Sequence, residues 1–387
     1  MNDSTARIGA GDRWTTFTYL AVWSYLLYGL GNATPYLRYD LHLTAFEAGL
    51  HASALAVGVL VAGATADILG RRAGRSRLFD LSAAYFGASV VLIVIAQTVV
   101  FTLCAAFLMG LGGGTVSTQA NVQLSEFGHL RSRILISQAN AFSMIAAAAA
   151  PIAIGLAASG LHAWRLAMVM PVVVLIALTV LRRREGGPSA AAHVSRGRLP
   201  RSYWVVWLVI VIGVAIEFSF VYWGSTIVAL RTGVSTAEGT LLASLFVVGM
   251  FAGRTVVGGG VGSSRSSLAL LATGLGVVVA GASLTWVSTV PVLSGLGLFM
   301  GGCGVASLWP IGITAALQAA GVARLEGAAR ATFGAGLAIL FAPAALGIAG
   351  DAFGVVAAWP IIIGMATCGL AVAAVAHRVG STATPAG

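Results

Sequence analysis

One carboxylate, Glu217, stands in the middle of the apolar stretch Tyr203–Leu230, YWVVWLVIVIGVAIEFSFVYWGSTIVAL. At 1.5 Å rise per residue it lies roughly 20 Å along that stretch, close to the middle of a bilayer. An ionised acid at such a depth costs at least ~2.5–3.5 kcal/mol. The group is therefore expected to be protonated, to face a watered cavity, or to have a partner. One reading is a neutral Glu hydrogen-bonded between helices; the other is a substrate or proton site, and the second is adopted as the expectation. Other charges sit near span ends: Asp67, Arg71, Arg72, Glu126 and Arg254. Glu47 and His51, at i and i+4, read as a local pair. Cys104, Cys303 and Cys368 fall inside apolar spans without metal spacing, so neither a metal site nor a disulfide framework is expected. No nucleotide motif and no nucleophile with its base stands out, so neither an enzyme nor a cofactor is expected.

The elements that must position these groups are membrane spans. Of the 387 residues, 58% are hydrophobic and 9% charged, a balance no soluble domain keeps. The formal charge of +10 is carried by Arg alone, and the arginines cluster in alternate loops. That pattern fits the positive-inside rule and sets nucleic-acid binding aside. Twelve apolar runs are long enough to cross a bilayer, roughly 15–37, 46–70, 78–98, 100–125, 133–158, 163–182, 203–230, 238–260, 266–287, 290–318, 326–349 and 355–377. With the N-terminus inside, only Arg38, Arg165 and Arg231 of the 22 arginines fall outside. Both termini are thus expected in the cytoplasm, in a multi-pass protein of the cytoplasmic membrane.

The stretch 182–201, RRREGGPSAAAHVSRGRLPR, reads as a cytoplasmic linker between an N-terminal six-helix bundle (1–181) and a C-terminal one (202–387). The halves look alike. A shift of 191 residues lays 44–58 on 235–249, matching Glu47 to Glu238, Ser53 to Ser244 and Gly58 to Gly249. The same shift carries Met109-Gly110 onto Met300-Gly301. This is a duplicated six-helix unit. Glu217 falls on Leu26 under the shift, so the acid departs from the symmetry.

The second span ends in Gly63-Ala-Thr-Ala-Asp67-Ile-Leu-Gly70-Arg71-Arg72. With the twelve spans and the six-plus-six split, the chain resembles the major facilitator superfamily over essentially its whole length. Ile68 departs from the pattern, where the family often has a basic residue. The resemblance implies an all-α membrane fold of twelve helices in two pseudo-symmetric bundles. Gly63, Asp67, Gly70, Arg71 and Arg72, with Glu126 as acidic partner and Arg254 from the second half, are expected to form a conformational latch. The glycines would let this helix pack close to a neighbour. The second half carries a worn copy, Gly249–Arg254, and Glu326 is available to Arg254 unless it pairs with Arg330. Pro151 in the fifth span resembles the Gly-Pro motif of drug–proton antiporters of that superfamily.

In this family spans 1, 4, 7 and 10 line the cavity. The polar and aromatic residues there are Tyr25, Tyr28 and Asn32; Thr115, Gln119 and Gln123; Tyr222 and Trp223, with Phe220 and Gly224 on the Glu217 face; and Cys303, Ser307, Trp309 and Pro310. Asn140 and Ser143 add to them from the fifth span. Tyr25, Tyr28, Asn32, Gln119, Asn140, Tyr222, Trp223 and Trp309 are the expected substrate contacts. Asp351 reads as a turn residue and helix cap. The resulting expectation is a secondary transporter of a small organic solute, proton-coupled through Glu217, working as a monomer in the lipid bilayer, with export preferred to uptake. The alternatives are an uptake carrier or uniporter for a sugar-like metabolite, and a non-transporting membrane receptor.

Overall fold

The structure is a computed structural model that describes residues 10–73, 75–125, 129–161, 163–181, 198–256 and 266–381. Within these, the side chains of 10–13, 66–73, 75–76, 121–123, 125, 129–134, 136–137, 161, 178–181, 322, 324–325 and 375–381 are outside the description. All regular structure among the described residues is helical. Apolar runs bounded by short Gly, Ser, Thr or Pro punctuation leave the backbone no partner but itself in a bilayer, and the helix satisfies it.

The first six helices are α1 (Ala10–Leu41), α2 (Ala45–Ala73), α3 (Arg75–Ile95), α4 (Val99–Ser125), α5 (His129–Leu161) and α6 (Arg165–Leu181). After the linker come α7 (Arg201–Thr232), α8 (Thr236–Val256) and α9 (Ser267–Val287). The tenth expected span is two helices, α10 (Pro291–Val305) and α11 (Leu308–Ala320). The eleventh is α12 (Arg324–Phe353), and the twelfth is a short α13 (Val355–Ala358) followed by α14 (Pro360–Ser381). Ten segments among the described residues are long and apolar enough to cross a membrane. α1 is long but polar for a span, carrying Tyr, Asn and Thr side chains, and the described apolar part of α6 is short, Arg165–Ala177.

Two compact units are present: residues 1–33 with 54–191, and residues 34–53 with 192–387. The end of α1 and the start of α2 thus group with the second unit, which a cut at the linker does not anticipate. Their contacts within that unit explain it. Tyr36 donates to Thr240 Oγ1 (3.1 Å), and Ser53 Oγ donates to the Leu340 carbonyl.

In each unit a pair of helices crosses backbone on backbone at glycines. In the first, a Cβ at Gly58 would stand 2.2 Å from the Phe107 carbonyl oxygen, and one at Gly110 2.0 Å from that of Leu55. In the second, a Cβ at Gly249 would stand 2.1 Å from the Phe299 oxygen, and one at Gly302 1.9 Å from that of Phe246. α2 on α4 and α8 on α10 are therefore the same joint twice. Gly302, not the sequence-aligned Gly301, takes the role of Gly110. Aromatic rings fill the second unit beside this joint: Phe220 stacks on Phe246 at 4.9 Å and meets Trp359 edge-on at 5.2 Å.

The break in the tenth span has a local cause. Pro310 lacks the N–H that would bond to the carbonyl of Ala306, and its ring crowds that carbonyl. α10 ends at Val305, and a new helix starts at Leu308 with Pro310 in its first turn, where a missing N–H costs nothing. Arg254 Nε from α8 donates to the Ala306 oxygen at 3.4 Å, replacing the absent donor.

Candidate functional site

Glu217 is the sixteenth residue after the start of the 32-residue α7, hence at mid-span. It is half-buried, while Val214, Ala215, Ile216, Phe218, Ser219 and Phe220 around it are buried. The helix turns its face toward α10 and α11. A Cβ at Gly213 would meet Leu308, Phe220 reaches Gly301, and a Cβ at Gly224 would meet Leu298. Gly213, Phe220 and Gly224 lie within about 60° of Glu217 around the helix. Because α7 runs antiparallel to α10 and α11, Glu217 lies at the level between Gly301 and Leu308. That is the level of the Ala306–Ser307 break.

The aromatic residues expected beside Glu217 have structural ties. Phe220 belongs to the cluster with Phe246 and Trp359. Trp223 is 1% exposed, and its indole N–H donates to the Pro343 carbonyl at 3.1 Å, within the second unit. Tyr222 is fully buried, and its hydroxyl has no hydrogen-bond partner among the described residues, as is true of Ser225 and Ser294. Trp309 is half-buried in the first turn of α11.

In the first unit, Tyr25, Tyr28, Asn32 and Gln119 are all buried. Tyr25 donates its hydroxyl to the Ala167 carbonyl at 2.9 Å, which ties α1 to α6. Asn32 Nδ2 donates to the Tyr28 carbonyl (2.9 Å), while Asn32 Oδ1 and Gln119 Oε1 are buried acceptors without a partner among the described residues. A buried amide oxygen left unbonded costs about 1–3 kcal/mol, and both of these lie on helices expected to line the pathway. Thr115 is spent locally, donating to Leu111 one turn earlier. Asn140 is exposed on α5.

Of the expected latch, the side chains of Asp67, Gly70, Arg71 and Arg72, and Glu126 as a whole, lie outside the described residues. Gly63 is described. Among the described residues, a Cβ there would meet nothing within 4 Å. Arg254 serves the broken span, whereas Glu326 pairs with Arg330 at 3.6 Å. Glu47 and His51 do lie together one turn apart. The His51 ring nitrogen contacts the carbonyls of Glu47 and Ala48 (3.0 and 3.1 Å), and the Glu47 carboxylate accepts from Thr44 N at 2.9 Å in a capping box.

Sequence reasoning missed three things: the buried hydroxyls Ser225 and Ser294, which carry no sequence signal; the break, which Pro310 signals; and the partner of Asp351, described below. No group of three or more His, Cys, Asp or Glu among the described residues is arranged to hold a metal.

Solved transporters share this architecture. A bacterial homologue of the human lysosomal transporter Spinster, inward-facing and occupied, aligns over 98% of this chain and 100% of its own, with TM-score 0.78 at 14% identity. The nucleoside transporter NupG aligns over 95% and 98%, with TM-score 0.76 at 12% identity. The peptide transporter POT in complex with sulfate aligns over 96% and 94%, with TM-score 0.75 at 14% identity. At such identities the likeness is one of fold. No curated protein matches by sequence. The sequence model of the Major Facilitator Superfamily matches residues 15–324, most of a chain whose helices, duplicated glycine joints and span count already agree with that architecture, and the protein belongs to this superfamily.

Proposed function

We propose that the protein is a secondary transporter that carries a small organic solute across the cytoplasmic membrane by alternating access, coupled to protons through Glu217, with export preferred to uptake. The observation that carries this reading is the partly exposed acid at mid-span on a helix whose surrounding residues are buried, level with a broken helix. Helix ends at membrane depth bring polar backbone to a place that otherwise has none, and transporters use such ends at their ion and substrate sites. A carboxyl able to take up and release a proton there is a coupling device. Both termini are assigned to the cytoplasm on the arginine distribution.

The solute class follows from the orphaned polar atoms. Asn32 and Gln119 offer amide oxygens, which call for N–H or O–H donors on the solute, and Tyr222 offers a hydroxyl. Among the structural neighbours, one is named for nucleosides and one for peptides, both rich in such donors. Tyr25, Tyr28, Asn140, Trp223 and Trp309 complete the proposed lining.

The test uses purified protein in liposomes with an internal pH indicator and a panel of nucleosides, dipeptides and aromatic cations. The parent protein is expected to move protons when a transported compound is added. Glu217→Gln is expected to abolish that movement while leaving counterflow of the same compound. A pH-driven gradient sustained by Glu217→Gln would remove the acid from the coupling role.

A further inference from the structure

Asp351 closes a helix 306 residues away from it in sequence. It lies in the last turn of α12, just before Gly354, which turns the chain at φ 86°. Its two carboxylate oxygens accept from Ala45 N (2.6 Å) and Phe46 N (2.8 Å), the first two amides of α2. Those amides have no carbonyl partner within their own helix, and the positive end of the helix dipole favours an anion there.

α2 does not need this acid merely to begin. Thr44 and Glu47 already form a reciprocal capping box, with Thr44 N to Glu47 Oε2 at 2.9 Å and Glu47 N to Thr44 Oγ1 at 3.1 Å. α8, the duplicate of α2, starts with the same device from Ser235 and Glu238 (2.8 and 3.2 Å). The 191-residue shift places Gly160 where α12 has Asp351, so the acid is an addition on one side only. Behind it the two helices meet with very little side chain between them. A Cβ at Gly49 would stand 2.7 Å from the Pro343 oxygen, one at Gly347 2.5 Å from that of Ala45, and Ser53 donates to Leu340. A joint of backbone, glycine and a few hydrogen bonds can part without unlocking interdigitated side chains.

We propose that Asp351 and the start of α2 form a releasable clasp, holding α2 to α12 at the end of the molecule remote from the linker and letting go when that end opens. The inference rests on the alternating-access reading and adds to it a residue that sets how often that end opens. The measurement is the labelling rate of Ser53→Cys, introduced after replacing Cys104, Cys303 and Cys368 with serine, by a membrane-impermeant maleimide in whole cells and in inverted vesicles. Asp351→Ala is expected to raise the rate roughly tenfold, the factor matching loss of charge-assisted hydrogen bonds. Asp351→Asn, which keeps an acceptor but no charge, is expected to fall between. Ser235→Ala weakens the equivalent cap of α8 and is expected to leave the rate unchanged. An unaltered rate in Asp351→Ala, in protein that elutes as one species with parental helix content, overturns the clasp. So does an equal rise in Ser235→Ala. Because labelling needs no solute and no proton gradient, the clasp and the coupling role of Glu217 stand or fall separately.

Discussion

At the scale of single residues, four of the described arginines donate to carbonyls that the helices cannot satisfy. Arg254 replaces the N–H that Pro310 lacks. The three arginines that the loop charge pattern leaves outside behave alike. Arg38 donates to Leu43 (3.2 Å), Arg165 to Val94 (3.5 Å) and Arg231 to Val287 (2.9 Å). The last two acceptors are in the final turns of α3 and α9, where carbonyls have no helical donor. Arg254→Leu is therefore expected to cost about 1 kcal/mol, read as a lower unfolding midpoint in detergent, with Arg254→Lys recovering part of it. Trp223→Phe, which removes the donor to Pro343 and keeps the ring, is expected to cost about as much in the same assay. Its intrinsic fluorescence, if quenched by a transported compound in the parent, also reports whether this indole touches solute.

At the scale of elements, the glycines sort themselves by what stands opposite. Gly302→Ala must push α8 from α10, because its methyl would lie 1.9 Å from the Phe246 oxygen. A destabilisation of about 1–3 kcal/mol is expected. Gly276→Ala, on α9 with nothing within 4 Å, is expected to be neutral or slightly stabilising. Parallel thermal melts decide it. Spans were legible in the sequence because a bilayer demands long apolar runs, and the duplication was legible because the α2–α4 joint needs glycine at Gly58 and Gly110 and the α8–α10 joint repeats it. The one-residue slip from Gly301 to Gly302 was not, since only the crossing of two helices decides which glycine faces the joint. Glu217 announced itself by its depth. Phe220 and Trp223 were legible as aromatic residues at helical spacing, but their packing partners Phe246, Trp359 and Pro343, remote in sequence, were not.

At the scale of the whole molecule, the assignment of residues 34–53 to the second unit alters what the linker divides. Chains 1–190 and 191–387, expressed separately in one cell, are expected to co-purify, because the first carries the α2 start that Asp351 and Leu340 hold. Asp351→Ala together with Ser53→Ala is expected to lower the recovered pair several-fold, measured by pull-down through a tag on one fragment. The same feature bears on how such proteins are recombined. A hybrid built by exchanging everything before the linker with a distant cousin would import a twenty-residue patch fitted to someone else's partner. Such a hybrid needs its seams at Ala33 and Ser53 as well as in the arginine-rich stretch, so that residues 34–53 travel with the half they fit.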